Sequence, residues 1–114
     1  MKLIKAEDDL LEFDNGLKIT GEGDNDCCAI NWIDFANFTT GAEYPDMTLG
    51  EFIDKVKIKE DGFILKDSQG TPKWAQARTS QNGYYSPMTT LFAEQDGKRV
   101  ELGRVAGEDS EDSY

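Results

Sequence analysis

The sequence predicts an α+β fold: an antiparallel, hairpin-rich sheet of about five to seven strands with one short helix, residues 48–57, packed on a face. Three observations carry this reading. Asn15-Gly16, Asn82-Gly83 and Asp96-Gly97 each join apolar runs, the pattern of a tight hairpin. Thr48 followed by Glu51 forms a capping box, with Leu49, Phe52, Ile53 and Val56 behind it as one apolar stripe at helical spacing. After Val56 the apolar period changes to two.

The elements follow in order. Residues 10–14 and 17–21 read as two strands about Asn15-Gly16, with Leu11 and Phe13 meeting Leu17 and Ile19 across the hairpin. A type I′ turn suits that pair, because Asn and Gly tolerate positive φ. Gly21 to Asp26 reads as a polar, acidic loop. Cys27 to Phe38 is apolar with an ambiguous period: Cys28, Ile30 and Trp32 alternate, while Ala29, Trp32, Ile33 and Ala36 fit a helix. Trp, Ile and Phe favour a strand that ends near Ile33. Gly41 and Pro45 mark a loop over 39–47. The helix from Thr48 is short, and Gly50 weakens its first turn, so packing on the sheet must hold it. Turns at Asp61-Gly62 and Asp67–Gly70 then flank a strand over Phe63-Ile64-Leu65. Lys73 to Arg78 is expected to be extended with Trp74 inward, Tyr84 to Glu94 to form a long strand, and Lys98 to Val105 to return from Asp96-Gly97. Residues 1–106 make one domain, and 107–114 form an acidic tail expected to be disordered.

Composition bounds the function classes. The chain has 114 residues, 38% hydrophobic and 31% charged, as a globular domain does. Its net charge of −11 is unevenly spread, with thirteen Asp/Glu against three Lys in residues 1–54 and nine Lys/Arg against six Asp/Glu in residues 55–107. Such a chain repels a nucleic-acid duplex. No apolar run approaches the ~20 residues that span a bilayer, and Glu7, Asp8 and Asp9 cut short any signal peptide. A cytosolic location is the resulting expectation. Adjacent Cys27-Cys28 cannot close an unstrained disulfide, which is in keeping with two reduced thiols.

Two motifs occur together, Asp26-Cys27-Cys28 after the first hairpin and Asn82-Gly83-Tyr84-Tyr85-Ser86 before a late strand. In this layout the chain resembles a small family of uncharacterised phage and bacterial proteins that share a D-C-C motif and a later S-N-G-Y-Y-S motif. The likeness extends over about residues 8–103. Here Ser80 is displaced by one position, since Gln81 precedes Asn82. The resemblance implies a phage or prophage context and carries no functional residues over, because the family has no assigned activity.

The chemistry-bearing residues point away from catalysis. The chain has no histidine, which removes the usual general base, the common triads and ordinary zinc sites. Glu22, Asp24 and Asp26 precede the cysteines and would raise a thiol pKa. Their spacing is not that of a calcium loop, so no metal and no cofactor are expected. No phosphate-cradling glycine loop is present.

Two candidate surfaces remain. Lys73, Trp74, Arg78, Tyr84, Tyr85 and Ser86 gather aromatic faces, cations and a hydroxyl in one hairpin region; of the two tyrosines, alternation puts one inward and one outward. The plainer account makes Trp74 and one tyrosine core. Glu22, Asp24 and Asp26, with Glu108, Asp109, Glu111 and Asp112 of the tail, could form an acidic face for a basic host protein. The plainer account is a solvated surface. The leading expectation is therefore a non-enzymatic binding protein that inhibits or sequesters a host factor, including an anti-defence role. The alternatives are a binder of a nucleotide signal at Trp74, Arg78 and Tyr85, and a thiol-dependent enzyme. The oligomeric state stays open.

Overall fold

The computed structural model describes residues 1–24, 29–80 and 86–109. They form an α+β fold of mostly antiparallel sheets with a single short helix. The element order is β1 (Leu3–Glu7), β2 (Leu10–Phe13), β3 (Lys18–Gly23), β4 (Ile30–Asp34), α1 (Leu49–Lys55), β5 (Lys57–Lys59), β6 (Gly62–Lys66), β7 (Pro72–Ser80), β8 (Met88–Gln95), β9 (Lys98–Ala106) and β10 (Glu108–Asp109). No described helix is long and apolar enough to cross a membrane.

The strands fall into two sheets instead of one. The first has the order β1-β2-β3-β8-β9. In the second, β7 is central: Gln76 pairs with Asp34 of β4 on one edge and Gly62 of β6 on the other, and β5 continues beyond β6. Arg78 pairs with Trp32 and with Glu108, so β10 runs parallel to β7 on the edge opposite β4. The chain thus leaves the first sheet after β9 and enters the second at β10, within the segment expected to be a tail.

Apolar side chains from both sheets meet between them. Leu11, Phe13, Ile19, Leu91 and Ala93 of the first sheet, and Ile33, Phe63, Leu65, Ala75 and Ala77 of the second, are buried. Phe13, Phe35, Phe38, Tyr44 and Phe63 form a connected set of aromatic contacts, mostly edge-to-face, with centroids 5.4–6.2 Å apart. Phe52 of α1 is also buried.

Several expectations are corrected. Residues 21–23 belong to β3 and pair with Leu91, Thr90 and Thr89, so the acidic loop begins later. Glycine there is a packing requirement, because a Cβ on Gly23 would lie 2.1 Å from the main-chain oxygen of Asn31 in β4. At Asn15-Gly16 only Gly16 has positive φ, at 88°. The N–H of Gly16 bonds to the Phe13 carbonyl, and that of Phe13 to the Leu17 carbonyl, giving a three-residue bulged loop in place of the two-residue type I′ turn. Asn15 is held out of αL because its side chain accepts from the Leu17 N–H and donates to the Met47 carbonyl. Asp96-Gly97 does have positive φ at both residues.

The helix spans 49–55 with the Thr48–Glu51 capping box intact and Val56 as its extended C-cap; Phe52 is buried with Leu49 and Val56 packed beside it, and of the expected stripe Ile53 turns outward, 38% exposed. Gly62 opens β6 after a Glu60-Asp61 turn. In β4 the inward set is Asn31 and Ile33, while Ile30 is 59% exposed. In β7 Ala75, Ala77 and Thr79 point inward, which turns Trp74 outward. The late strand begins at Met88 and not at Tyr84: Ser86 and Pro87 lie outside it, proline having no N–H for a ladder, and it runs to Gln95. The D-C-C residues, the Asn82-Gly83 turn and the two tyrosines after it lie outside the described residues.

Candidate functional site

Strand alternation and register build the outer face of the second sheet. Trp74, Gln76 and Arg78 alternate with the buried Ala75, Ala77 and Thr79, so they share the face turned away from the core. Trp32 of β4 stands directly across from Arg78, and Ile30 across from Ser80. On the other side Ile64 of β6 faces Trp74, and Lys57 of β5 faces Ile64. Direct neighbours across a ladder are about 4.5–5.5 Å apart. The face therefore carries two half-buried indoles beside one guanidinium, with Ile30, Ile64, Lys57, Lys59 and Lys66 around them.

Hydrogen bonds fix this arrangement. Arg78 Nε lies 3.5 Å from Asp34 Oδ2, with both side chains about one-third exposed. Trp74 Nε1 donates to Gln76 Oε1, and Gln76 Nε2 donates to the Asp61 carbonyl at 3.0 Å. Asn37 Nδ2 donates to the Trp74 carbonyl at 3.1 Å. With its N–H engaged, the Trp74 indole has its ring face left to offer a ligand. Such a face attracts cations and stacks planar rings.

The first sheet's outer face is chemically closed by comparison. Glu12, Lys18, Glu94 and Arg99 stand in one row across four strands, alternating in sign. Arg99 lies 3.7 Å over the Phe92 ring and is ion-paired with Glu22, while Arg104 is ion-paired with Asp24. Two residues of the expected acidic face are thus neutralised by arginines from the cationic half of the chain. Ser86 belongs to this side as well, donating to Asp24 Oδ2 at 3.3 Å and accepting from the Met88 N–H.

Of the remaining expected site residues, Glu108 and Asp109 are placed by their backbone in β10. Asp26, Tyr84, Tyr85, Glu111 and Asp112 lie outside the described residues. Among the described residues no three of His, Cys, Asp or Glu are grouped as metal ligands. Trp32, Ile30, Ile64 and Lys57 were missed because their relation to Arg78 and Trp74 depends on pairing between distant strands. The alternation of Ile30 and Trp32 was the available signal.

No protein-family model, no curated protein and no solved structure matches the chain.

Proposed function

We propose that the protein is a non-enzymatic binding protein and that the outer face of its second sheet takes a nucleotide. The observation that supports this reading is Trp32 directly opposite Arg78, with Trp74 two alternations along the same face. An indole stacks a base in any orientation about its normal, and a guanidinium beside Trp32 can hold a phosphate with the donors that its Nε contact to Asp34 leaves over. Lys57, Lys59 and Lys66 stand on the same face, on the β5–β6 side, and Asp34 stands on the β4 side against Arg78. Within the phage or prophage context that the two sequence motifs imply, the corresponding role is sequestration of a host nucleotide signal.

Calorimetry against a panel of mono- and dinucleotides tests this. Each stacked base is worth about 1–3 kcal/mol, so Trp32→Ala or Trp74→Ala should weaken binding by about 5- to 150-fold. Saturating ligand at about 100 times its Kd should add about 2.7 kcal/mol of stability. A flat response to every nucleotide would falsify the assignment.

A second reading, docking of an acidic surface onto a basic host protein, keeps the support of the net charge. It predicts a complex that weakens steeply with salt. A partner retained unchanged at about 0.5 M salt, where screening is nearly complete, would count against it.

A further inference from the structure

A pocket of about 230 Å³ opens on the same face of the second sheet, beyond Trp74. Pro45, Met47 and Ile64 give it an apolar floor, and Lys55, Lys57 and Lys66 ring it. No carboxylate lines it, although the chain carries twenty-three Asp and Glu. Among the described residues none of the three lysines is in an ion pair. Like-charged ammonium groups around one apolar cleft repel one another, and an anion relieves that repulsion.

The backbone of the Pro45–Met47 wall is held by hydrogen bonds on both sides. The Met1 α-amino group bonds to the Tyr44 carbonyl and pairs with Asp46 at 2.8 Å. The Tyr44 N–H returns a bond to the Met1 carbonyl, the Ser68 N–H bonds to the Glu43 carbonyl, and Asn15 Nδ2 holds the Met47 carbonyl at 3.0 Å. Lys55 ends α1, and Lys57 follows at the start of β5. A preformed apolar floor spares the ligand part of the cost of ordering its site.

We infer that this pocket binds a small amphiphilic organic anion, with its apolar body on Pro45, Met47 and Ile64 and its carboxylate or phosphate among Lys55, Lys57 and Lys66. The volume holds about eight water-sized groups, which matches a single aromatic ring with an acidic substituent. Lysine is a point charge without the bidentate geometry of arginine, so it accepts either head group. The pocket shares Ile64, Lys57 and Lys66 with the margin of the nucleotide face but uses neither indole nor Arg78.

Heteronuclear NMR titration of the full chain with benzoate, phenyl phosphate, inorganic phosphate and benzyl alcohol tests it. Benzoate or phenyl phosphate should saturate shifts at Met47, Ile64 and Lys57, and whichever binds tighter identifies the preferred head group. Benzyl alcohol and inorganic phosphate should each bind about tenfold more weakly, since each lacks one half of the recognition. Lys57→Gln and Lys66→Gln, both at exposed positions, should weaken the best probe about tenfold each, whereas Trp32→Ala, outside the pocket lining, should leave the probe's affinity unchanged. Equal binding of inorganic phosphate and benzoate overturns the role of the apolar floor. No saturable shift with either aromatic anion, or full affinity in the double lysine variant, overturns the site.

Discussion

Asp9 Oδ1 accepts a hydrogen bond from the main-chain N–H of Ile33 at 2.8 Å, tying the β1–β2 turn of the first sheet to β4 of the second. Asp9 also gives its own N–H to the Ile33 carbonyl and its carbonyl to the N–H of Gly21, all from a backbone at φ 66°. Asp9→Ala should cost about 2–4 kcal/mol, from an unpaired half-buried N–H and a left-handed alanine. Asp9→Asn should keep most of the stability, because Asn retains the acceptor and tolerates that φ. Chemical denaturation of the two variants checks the contrast.

Burial raises the Asp9 carboxyl above its ordinary 3.8; the Ile33 N–H opposes the rise, and Asp8 adds to it. The folded state thus holds this proton more tightly than the unfolded chain. The resulting stability is fully present below pH 3.8 and is lost as pH rises through the folded value. Measured against Asp9→Asn, the wild type should gain stability on acidification through that window. A stability difference that stays constant with pH would contradict the shift.

The Tyr44 hydroxyl is buried without a hydrogen-bond partner among the described residues. Desolvation, helped by Asp67, pushes its pKa from 10.0 to about 12. Tyr44→Phe should stabilise the protein by about 1 kcal/mol, because a desolvated hydroxyl is removed and the ring contacts stay. Spectrophotometric titration should show one phenol ionising near pH 12, absent in the variant. The wild type should lose stability relative to Tyr44→Phe between pH 10 and about 12.

Gly23→Ala should destabilise by about 3 kcal/mol or more, since its Cβ would meet the Asn31 carbonyl, which is backbone and cannot swing aside. Gly16→Ala, whose Cβ meets nothing within 4 Å, should cost only the strain of positive φ, about 1–2 kcal/mol. Thermal melts of the pair separate steric overlap from backbone strain.

Arg99→Ala should cost about 1 kcal/mol and Arg104→Ala about half of that. Both lose an exposed ion pair, and only Arg99 also lies over an aromatic ring. The Arg104 effect should vanish in high salt and part of the Arg99 effect should persist.

Local signals carried the hairpins at 15–16 and 96–97, the Thr48–Glu51 cap and the β6 strand, because each is written in neighbouring residues. The division into two sheets was not legible. It depends on β3 pairing with β8 and β4 with β7, and no local pattern ranks one distant strand above another. Trp74 reads as inward from sequence because a large aromatic side chain is usually buried, yet small Ala75 and Ala77 take the inner positions against Phe63 and Ile33. The segregated charges read as a free acidic surface because the Glu22–Arg99 and Asp24–Arg104 partners are separated by most of the chain.

The β3–β8 ladder also bears on how the protein is made. A chain emerging from the ribosome presents β1 to β3 with a bare outer edge, and the strand that covers it appears only after β4 to β7 have been made. Until Gln95 is free, the first sheet cannot close and β4 has no completed wall to rest against. The glycines and charges of β3 suit this interval, since a short edge bearing Lys18 and Glu22 discourages pairing with other nascent chains. Closure of the first sheet therefore waits for β8, and chains shortened before β8 should remain protease-sensitive whatever their hairpins do locally.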